Sequence, residues 1–201
     1  MAIGDPYASL EEFKDYMKMT GKDSYDDGLQ DALSSVTTEI EGRCNRQFNK
    51  AASASQRSYY PDTRHLAKVH DFYTTDDLVV TFKGNALVEG TDFELQPLDG
   101  IVDNQPGWPY WKIKLLGGRM FHTWDSRNGA PLKVTARWGW NAVPAPVKQA
   151  CLIMAAETFQ LKDAPLGVAG MDAFGSALRV RDNAMAASKL APYVRDRFLV
   201  G

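Results

Sequence analysis

The fold is decided by Trp138-Gly139-Trp140 and by the stretch that follows it, Val143-Pro144-Ala145-Pro146-Val147-Lys148-Gln149-Ala150. The tryptophans end a predicted strand, and Pro146 is well placed in the first turn of a helix. The centre of that helix, Cys151 to Ala156, is apolar on every side. Such a helix must be covered all round, either by its own fold or by a neighbouring subunit.

A glycine-rich segment follows this helix. Asp163-Ala164-Pro165 is predicted to end the helix, because proline disfavours helical backbone at the residue before it. The segment from Leu166 to Gly175 contains Gly167, Gly170 and Gly175 and is predicted to be an extended loop. It leads into the strand-like, basic Leu178-Arg179-Val180-Arg181. A last short helix is predicted from Asn183 to Leu190, stopped or kinked by Pro192.

Two helices are predicted in the first quarter of the chain. Ser9-Leu10-Glu11-Glu12 is a capping box that starts the first helix, and Gly21 is the predicted stop. The second helix begins near Ser24 and should end near Phe48. It has apolar residues at spacings of three and four, which predict a buried stripe: Leu29, Leu33, Val36, Ile40 and Cys44.

Between the two helical regions the apolar residues alternate, which is typical of strands. The strand candidates are Leu66 to Phe72, Leu78 to Phe82, Asp92 to Gln96, Tyr110 to Leu115 and Leu132 to Trp138. We therefore predict an α+β fold: a small helical bundle with an inserted antiparallel β-subdomain and an extended C-terminal arm and tail. The predicted parts are residues 1–56, the β-subdomain 57–140, and residues 141–201, which complete the bundle.

Composition excludes several classes of function. A formal net charge of −2 provides no global attraction to nucleic acid or to an anionic membrane. No apolar run approaches the length that crosses a bilayer, and the N-terminus lacks the pattern of a secretory signal. Cys44 and Cys151 both lie on predicted apolar helix faces, so we expect buried, reduced thiols, although a disulfide between them stays open.

No assembled catalytic motif is visible. The histidines, His65, His70 and His122, lack the spacing of a metal site, and Asp76-Asp77 is typical of a turn before a strand. Gly117-Gly118 lacks the surroundings of a phosphate-binding loop. The sequence therefore predicts a protein with no enzymatic activity, no metal and no cofactor.

The tryptophans and the basic alternation each allow two interpretations. The tryptophans lie in or beside the β-region and suit either a base-stacking platform or a core, and we favour the core: Trp108, Trp111, Trp124, Trp138 and Trp140. Arg179 and Arg181 suit either salt bridges to a neighbouring subunit or a solvated strand face.

The order of these parts resembles the head–tail connector, or adaptor, proteins of tailed phages. The resemblance is carried by the Trp138-Gly139-Trp140 strand end, the helix start at Pro144 to Ala150 and the arm that begins with Asp163 to Gly170. It implies a virion protein of the head–tail interface that forms a ring, usually of twelve subunits, beneath the portal protein. DNA would pass through the ring without sequence-specific binding. Stopper or tail-completion proteins would be the partners on the other side.

The resemblance and the apolar pattern together suggest two interaction surfaces. The expected ring interface combines the apolar helix centre with the arm: Leu152, Ile153, Met154, Leu166, Val168, Met171, Phe174, Arg179 and Arg181. The expected portal-docking segment is the tail, which we predict to leave the bundle after Pro192: Tyr193, Arg195, Arg197, Phe198, Leu199 and Val200. An alternative for the tail is that it folds back on its own bundle.

Two other functions stay open at this point. One is a different joint of the virion, such as a stopper or tail-completion protein. The other is a nucleic-acid-binding module that uses an aromatic β-face, which would show salt-dependent binding to DNA.

Overall fold

The computed structural model describes residues 2–122, 129–161, 168–171, 177–179 and 183–195; for residues 161, 168–171 and 177–179 the description is of the backbone. The chain forms two compact units. A helical unit contains residues 3–48 and 143–195, and a β-unit contains residues 49–142. The predicted α+β class is confirmed: a helical bundle with an inserted antiparallel sheet. The insertion is wider than the predicted 57–140.

The first helix of the helical unit is α1, Leu10–Tyr16, and it starts at the predicted capping box. The Ser9 hydroxyl accepts from the Glu12 backbone N–H at 3.2 Å, and the Glu12 carboxylate accepts from the Ser9 N–H at 2.9 Å. The predicted stop at Gly21 is wrong, because the helix ends at Tyr16. Lys18 takes the left-handed conformation there, with φ at 56°, and so performs the chain reversal that we expected of a glycine.

The second helix, α2, spans Asp26–Cys44 and follows a 3₁₀ turn at Asp23–Tyr25. All five residues of the predicted apolar stripe are buried. The predicted end at Phe48 is wrong, because Asn45 adopts the left-handed conformation and stops the helix. The Lys14 ammonium lies 2.7 Å from Asp23 and 2.6 Å from Asp26, so α1 is tied to the start of α2.

The remaining helices of the helical unit are α3, Ala145–Leu161, and α4, Ala184–Leu190, which continues into a 3₁₀ turn at Ala191–Tyr193. The helix α3 packs against both α2 and α4. The Lys148 ammonium lies 2.8 Å from Glu12 and joins α3 to α1. Its hydrogen bond holds the pKa of the Glu12 carboxyl below the usual range. None of the described helices is long and apolar enough to cross a membrane.

The β-unit is one antiparallel sheet in the order β1-β6-β2-β5-β4, with β3 also paired to β2. Its strands are β1 Ser55–Tyr59, β2 Leu66–Phe82, β3 Asn85–Leu87, β4 Phe93–Gln96, β5 Tyr110–Leu115 and β6 Leu132–Trp138. The predictions for β5 and β6 are confirmed. The two candidates between residues 66 and 82 are one continuous strand, whose register on β6 shifts between Phe72 and Val79. The strands β1 and β3 were not predicted.

Strand β6 illustrates how the sheet builds its core. Leu132, Val134, Ala136 and Trp138 alternate along it and are all buried. The Trp138 indole N–H donates to the Ser55 carbonyl at 2.9 Å. The indole of Trp140 is also buried, and its N–H donates to the Asp71 carboxylate at 3.0 Å. The core interpretation is therefore confirmed for these two tryptophans; Trp108 and Trp111 are half-buried, and Trp124 lies outside the described residues.

The two ends of the β-unit are joined at Gly139. Ala51 N–H donates to the Trp138 carbonyl at 2.8 Å, and Gly139 N–H donates to the Asp71 carbonyl at 2.7 Å. Gly139 has φ at 98°, and a Cβ atom there would lie 1.8 Å from the Asn49 carbonyl oxygen. Only glycine both adopts this φ readily and leaves room for the Asn49 carbonyl. Gly139 therefore allows the segment that enters the β-unit to contact the segment that leaves it.

We predict that Gly139→Ala destabilises the β-unit by at least about 3 kcal/mol, because the backbone conformation and the clash both oppose a side chain. Gly107→Ala is the matched control: its φ is 87°, and nothing lies within 4 Å of the added Cβ. It should cost only about 1 kcal/mol. Urea unfolding followed by tryptophan fluorescence measures both variants, since every tryptophan lies between residues 108 and 140. Equal losses in the two variants would contradict the close-contact explanation.

Candidate interaction surface

The apolar helix α3 is covered by its own unit more completely on one side than on the other. Val147, Ala150, Cys151 and Ala155 are fully buried between α2 and α4. Of the three predicted ring-interface residues on this helix, Met154 is largely buried within its own unit, whereas Leu152 and Ile153 remain half-buried. We expected α3 to be covered on every side. Its own chain covers the inner side and leaves Leu152 and Ile153 half-buried.

The buried side of α3 has no reactive thiolate. Cys44 and Cys151 are free, buried cysteines, as predicted. Burial raises the pKa of each thiol to about 11, so both are protonated at neutral pH. The Cys151 Sγ lies 3.9 Å from the Thr37 hydroxyl. Within the described residues no group of three or more His, Cys, Asp or Glu side chains could hold a metal ion.

The outer side of α3 forms the floor of an open cleft of about 570 Å³, which we call the α1–α3–α4 cleft. Its walls come from the end of α1, the outer face of α3 and the start of α4. It is lined by Tyr16, Met17, Lys18, Ile153, Ala156, Glu157, Gln160, Asn183 and Met185. Tyr16 is 49% exposed and Met185 is 63% exposed. Sequence reasoning did not identify either residue as part of an interaction surface, because the pattern of a short helix does not show which of its apolar residues stay exposed.

A smaller hollow of about 270 Å³ lies on the opposite flank of α3, between α2 and the end of α3. It is lined by Gly28, Asp31, Ala32, Ser35, Thr158 and Phe159. The Phe159 ring packs edge-on against Tyr25, with centroids 6.2 Å apart. This contact partly covers the Phe159 ring. The hollow therefore exposes less apolar surface than the α1–α3–α4 cleft.

The described parts of the glycine-rich arm are two short paired strands, where a loop was predicted for the first of them. Strand β7, Val168–Met171, pairs antiparallel with β8, Ala177–Arg179, in the register Val168↔Arg179 and Met171↔Ala177. The prediction of a loop up to Gly175 is wrong for β7, because antiparallel pairing with β8 satisfies its backbone. Of the predicted interface residues, Leu166, Phe174 and Arg181 lie outside the described residues.

The first part of the tail packs on its own bundle, so the prediction that the chain leaves the bundle at Tyr193 is wrong as far as Arg195. The Tyr193 ring packs edge-on against Phe48, with centroids 5.8 Å apart, and burial raises the pKa of its hydroxyl. Arg195 N–H donates to the Cys44 carbonyl at 3.0 Å, and the Asn45 amide donates to the Arg195 carbonyl at 2.8 Å. These bonds satisfy backbone groups at the end of α2. Arg197, Phe198, Leu199 and Val200 lie outside the described residues.

Several basic side chains of the β-unit pair with acidic or aromatic side chains of the same unit. Lys114 lies 2.8 Å from Glu94, and Arg137 lies 2.7 Å from Asp77. Arg57 lies over the Trp138 ring, 4.5 Å from its centroid. A nucleic-acid platform needs cations and aromatic faces available to a ligand. Here the cations neutralise neighbouring carboxylates or cover a core tryptophan, so the β-face gives little support to the aromatic-platform interpretation.

Comparison with known proteins gives a structural match and no sequence match. No family model and no curated protein sequence matches this chain. A chain from the neck of an empty GTA particle, computed with C6 symmetry, superposes with a TM-score of 0.55 at 16% identity, covering 97% of this chain and 93% of that one. This chain shares its fold.

Two further solved structures have the same fold. A chain from the neck of a native GTA particle, computed with C12 symmetry, has a TM-score of 0.53 at 15% identity and covers 100% of this chain and 99% of that one. A chain from the virion of a native gene transfer agent (GTA) particle has a TM-score of 0.51 at 18% identity and covers 97% of this chain and 93% of that one. The likeness therefore extends over both the helical unit and the β-unit.

The anchoring of Arg195 predicts a difference between two truncations. Ending the chain after Tyr193 removes the hydrogen bonds of Arg195 to Cys44 and Asn45, and should lower the free energy of unfolding of the helical unit by about 1–3 kcal/mol. Ending it after Arg195 keeps those bonds and should leave that free energy unchanged. Urea unfolding followed by helical circular dichroism measures both. Equal stability of the two truncated proteins would show that the Arg195 contacts contribute nothing.

Proposed function

We propose that this protein is a head–tail connector subunit, a structural protein of the neck of a tailed, phage-like virion. The observation that carries the proposal is the shared fold, over nearly the whole of both chains, with proteins from the necks of gene transfer agent particles, which are phage-like. The sequence resemblance to adaptor proteins supports the same conclusion independently of that superposition. The protein acts in the virion, at the head–tail interface.

The proposed assembly is a closed ring, with twelve copies expected. The necks that contain the similar chains were computed with C6 and C12 symmetry, which supports cyclic assembly. A ring of this kind is built from heterologous contacts, in which one surface of each copy meets a different surface of the next. The portal protein binds on one side of the ring and a stopper or tail-completion protein on the other, and DNA passes through without sequence-specific contacts.

The chemistry of the chain supports a role without catalytic turnover. The two thiols are protonated at neutral pH, and the described carboxylates with the strongest partners, such as Asp92 beside Arg119, form structural ion pairs. An ion pair of this kind anchors a loop and offers neither a nucleophile nor a general base to a substrate. The function therefore depends on surfaces that bind other proteins.

We further propose that the arm provides the ring contact. The hairpin of β7 and β8 carries Val168, Met171 and Arg179, and its flanking sequence adds Leu166, Phe174 and Arg181. Strand β7 lies near α3 of its own chain, and a two-stranded hairpin is marginally stable in water unless it packs on a larger surface. Leu152 and Ile153 of α3 are half-buried and available for the same interface.

The remainder of the tail is the proposed portal-docking segment. Because Tyr193 packs on Phe48 and Arg195 is bonded to the end of α2, we assign the portal-docking role to the segment after Arg195. It contains Arg197 and the apolar run Phe198-Leu199-Val200. An apolar run next to a cation suits a partner groove with an acidic rim.

A stopper or tail-completion protein is the second candidate, because such proteins also belong to a neck. The two roles differ in position along the neck axis. An adaptor contacts the portal directly, whereas a stopper contacts the adaptor.

We predict that the purified protein mixed with its portal forms a ring attached directly to the portal, visible by cryo-electron microscopy with cyclic symmetry.

A phage mutant that lacks the protein should package DNA but fail to yield stable, tailed particles. Tailed, infectious virions from the mutant would refute the connector role. A ring separated from the portal by another protein layer would establish the stopper role instead.

We also predict that the protein truncated after Arg195 stays folded but no longer co-sediments with the portal, because the apolar run is lost. The matched control is the full chain with Val88→Ser, which removes an exposed apolar residue of the β-unit, outside both proposed interfaces, and should co-sediment normally. If the truncated protein binds the portal as well as the full chain does, the docking surface lies on the helical unit.

A further inference from the structure

The α1–α3–α4 cleft leaves apolar surface uncovered in the middle of the most apolar helix of the chain. Its floor is formed by half-buried Ile153 beside buried Ala156, and exposed Tyr16 and Met185 stand at its sides. Single exposed apolar residues are ordinary, but several that line one concavity are typical of a binding site. The volume of about 570 Å³ lies within the roughly 300–1,000 Å³ of sites that hold a ligand.

The arm of the chain carries apolar residues and a cation that could bind in this cleft. One strand, β7, brings the apolar residues Val168 and Met171, and the paired strand, β8, brings the cation of Arg179. The cleft presents apolar side chains together with the carboxylate of Glu157, which accepts a hydrogen bond from Asn183; the exposed side chain of Lys18 also lines the cleft. An apolar strand with a neighbouring cation is thus complementary to an apolar floor with a neighbouring carboxylate.

The position of the arm in the chain favours exchange between copies. The hairpin begins soon after Gln160 and ends just before Asn183, and both of these residues line the cleft. The arm is therefore rooted beside the cleft of its own chain. If each arm enters the cleft of the next copy, every arm and every cleft is used, and the same contact repeats around a ring.

We propose that the α1–α3–α4 cleft is the acceptor site for the β7–β8 hairpin of a second copy of this chain, with Glu157 pairing with Arg179. This inference rests on the proposed ring, and it adds the surface that receives the arm. Tyr16 and Met185 become interface residues, and the outer side of α3 is covered in the assembly.

The test is photo-cross-linking from position 185. The full chain carries p-benzoylphenylalanine in place of Met185 and is irradiated as a mixture of ¹⁵N-labelled and unlabelled copies, alone and on portal. We expect cross-linked dimers in which position 185 of one copy joins a peptide containing residues 168–179 of another. The matched control carries the same group at Val88, which is 59% exposed and lies in the β-unit, and should give no such product.

Variants of the cleft and of the arm extend the test. Ile153→Asp places a carboxylate on the apolar floor and should reduce the cross-linked dimer about tenfold or more, as a loss of about 1.4 kcal/mol would. Gln149→Asp adds the same charge at an exposed position of α3 outside the cleft and should change little. Deleting residues 167–175 should abolish both the cross-linked dimer and the ring, while helical circular dichroism shows a folded protein.

Each outcome decides the inference. Products that join position 185 to residues 168–179 of the same copy would overturn it, since the arm would then cover its own cleft. Products at other sequences, or none between copies, would overturn it as well. Electron microscopy of the same samples separates the two proposals: rings on the portal without this cross-link leave the connector role intact and refute only the acceptor site.

Discussion

The insertion of the sheet imposes the constraint on which the rest of the structure depends: the chain must leave and re-enter the helical unit at one place. Gly139 makes this possible, because its backbone lies where any side chain would meet the Asn49 carbonyl. The hydrogen bond from Ala51 to Trp138 holds the two segments together, and the bond from Gly139 to Asp71 fixes the leaving segment on β2. With its ends fixed, the β-unit behaves as a closed loop, and α1 and α2 can pack with α3 and α4 although about a hundred residues separate them.

The sequence predicts elements well where one local pattern is strong. The capping box at Ser9 predicts a helix start and the alternation of β6 predicts a strand, each from a few neighbouring residues. Both predictions are confirmed. It fails where tertiary pairing decides. Strand β1 is an edge strand with mostly exposed side chains, so it has no apolar alternation to detect. The end of α1 depends on Lys18 in a conformation that usually signals glycine, and no composition rule anticipates that choice.

The candidate site shows the same division. The apolar centre of α3 is legible in the sequence, because six successive apolar residues admit few other interpretations. Which side of that helix is covered depends on where α2 and α4 pack. The cleft could not be predicted, since its walls come from three segments far apart in the chain. The anchoring of Arg195 was not predicted for a related reason. It depends on carbonyl groups at the end of α2, and the end of that helix was predicted four residues too late.

The distribution of charge and apolar surface explains why this chain is suited to binding other proteins. Many of its charged side chains neutralise one another within a unit, as Lys14 does with Asp23 and Asp26 and as Arg137 does with Asp77. Such pairs at the surface add little stability, and they neutralise part of the charge on the surface of each unit. Apolar surface is distributed differently. The inner side of α3 is covered by the chain itself, and the outer side faces a cleft. A protein that had to remain a monomer would gain by placing polar residues at Tyr16, Ile153 and Met185. Occupation of the cleft in an assembly explains why these residues are apolar. Burying their side chains there contributes hydrophobic free energy to assembly, which the single chain does not gain.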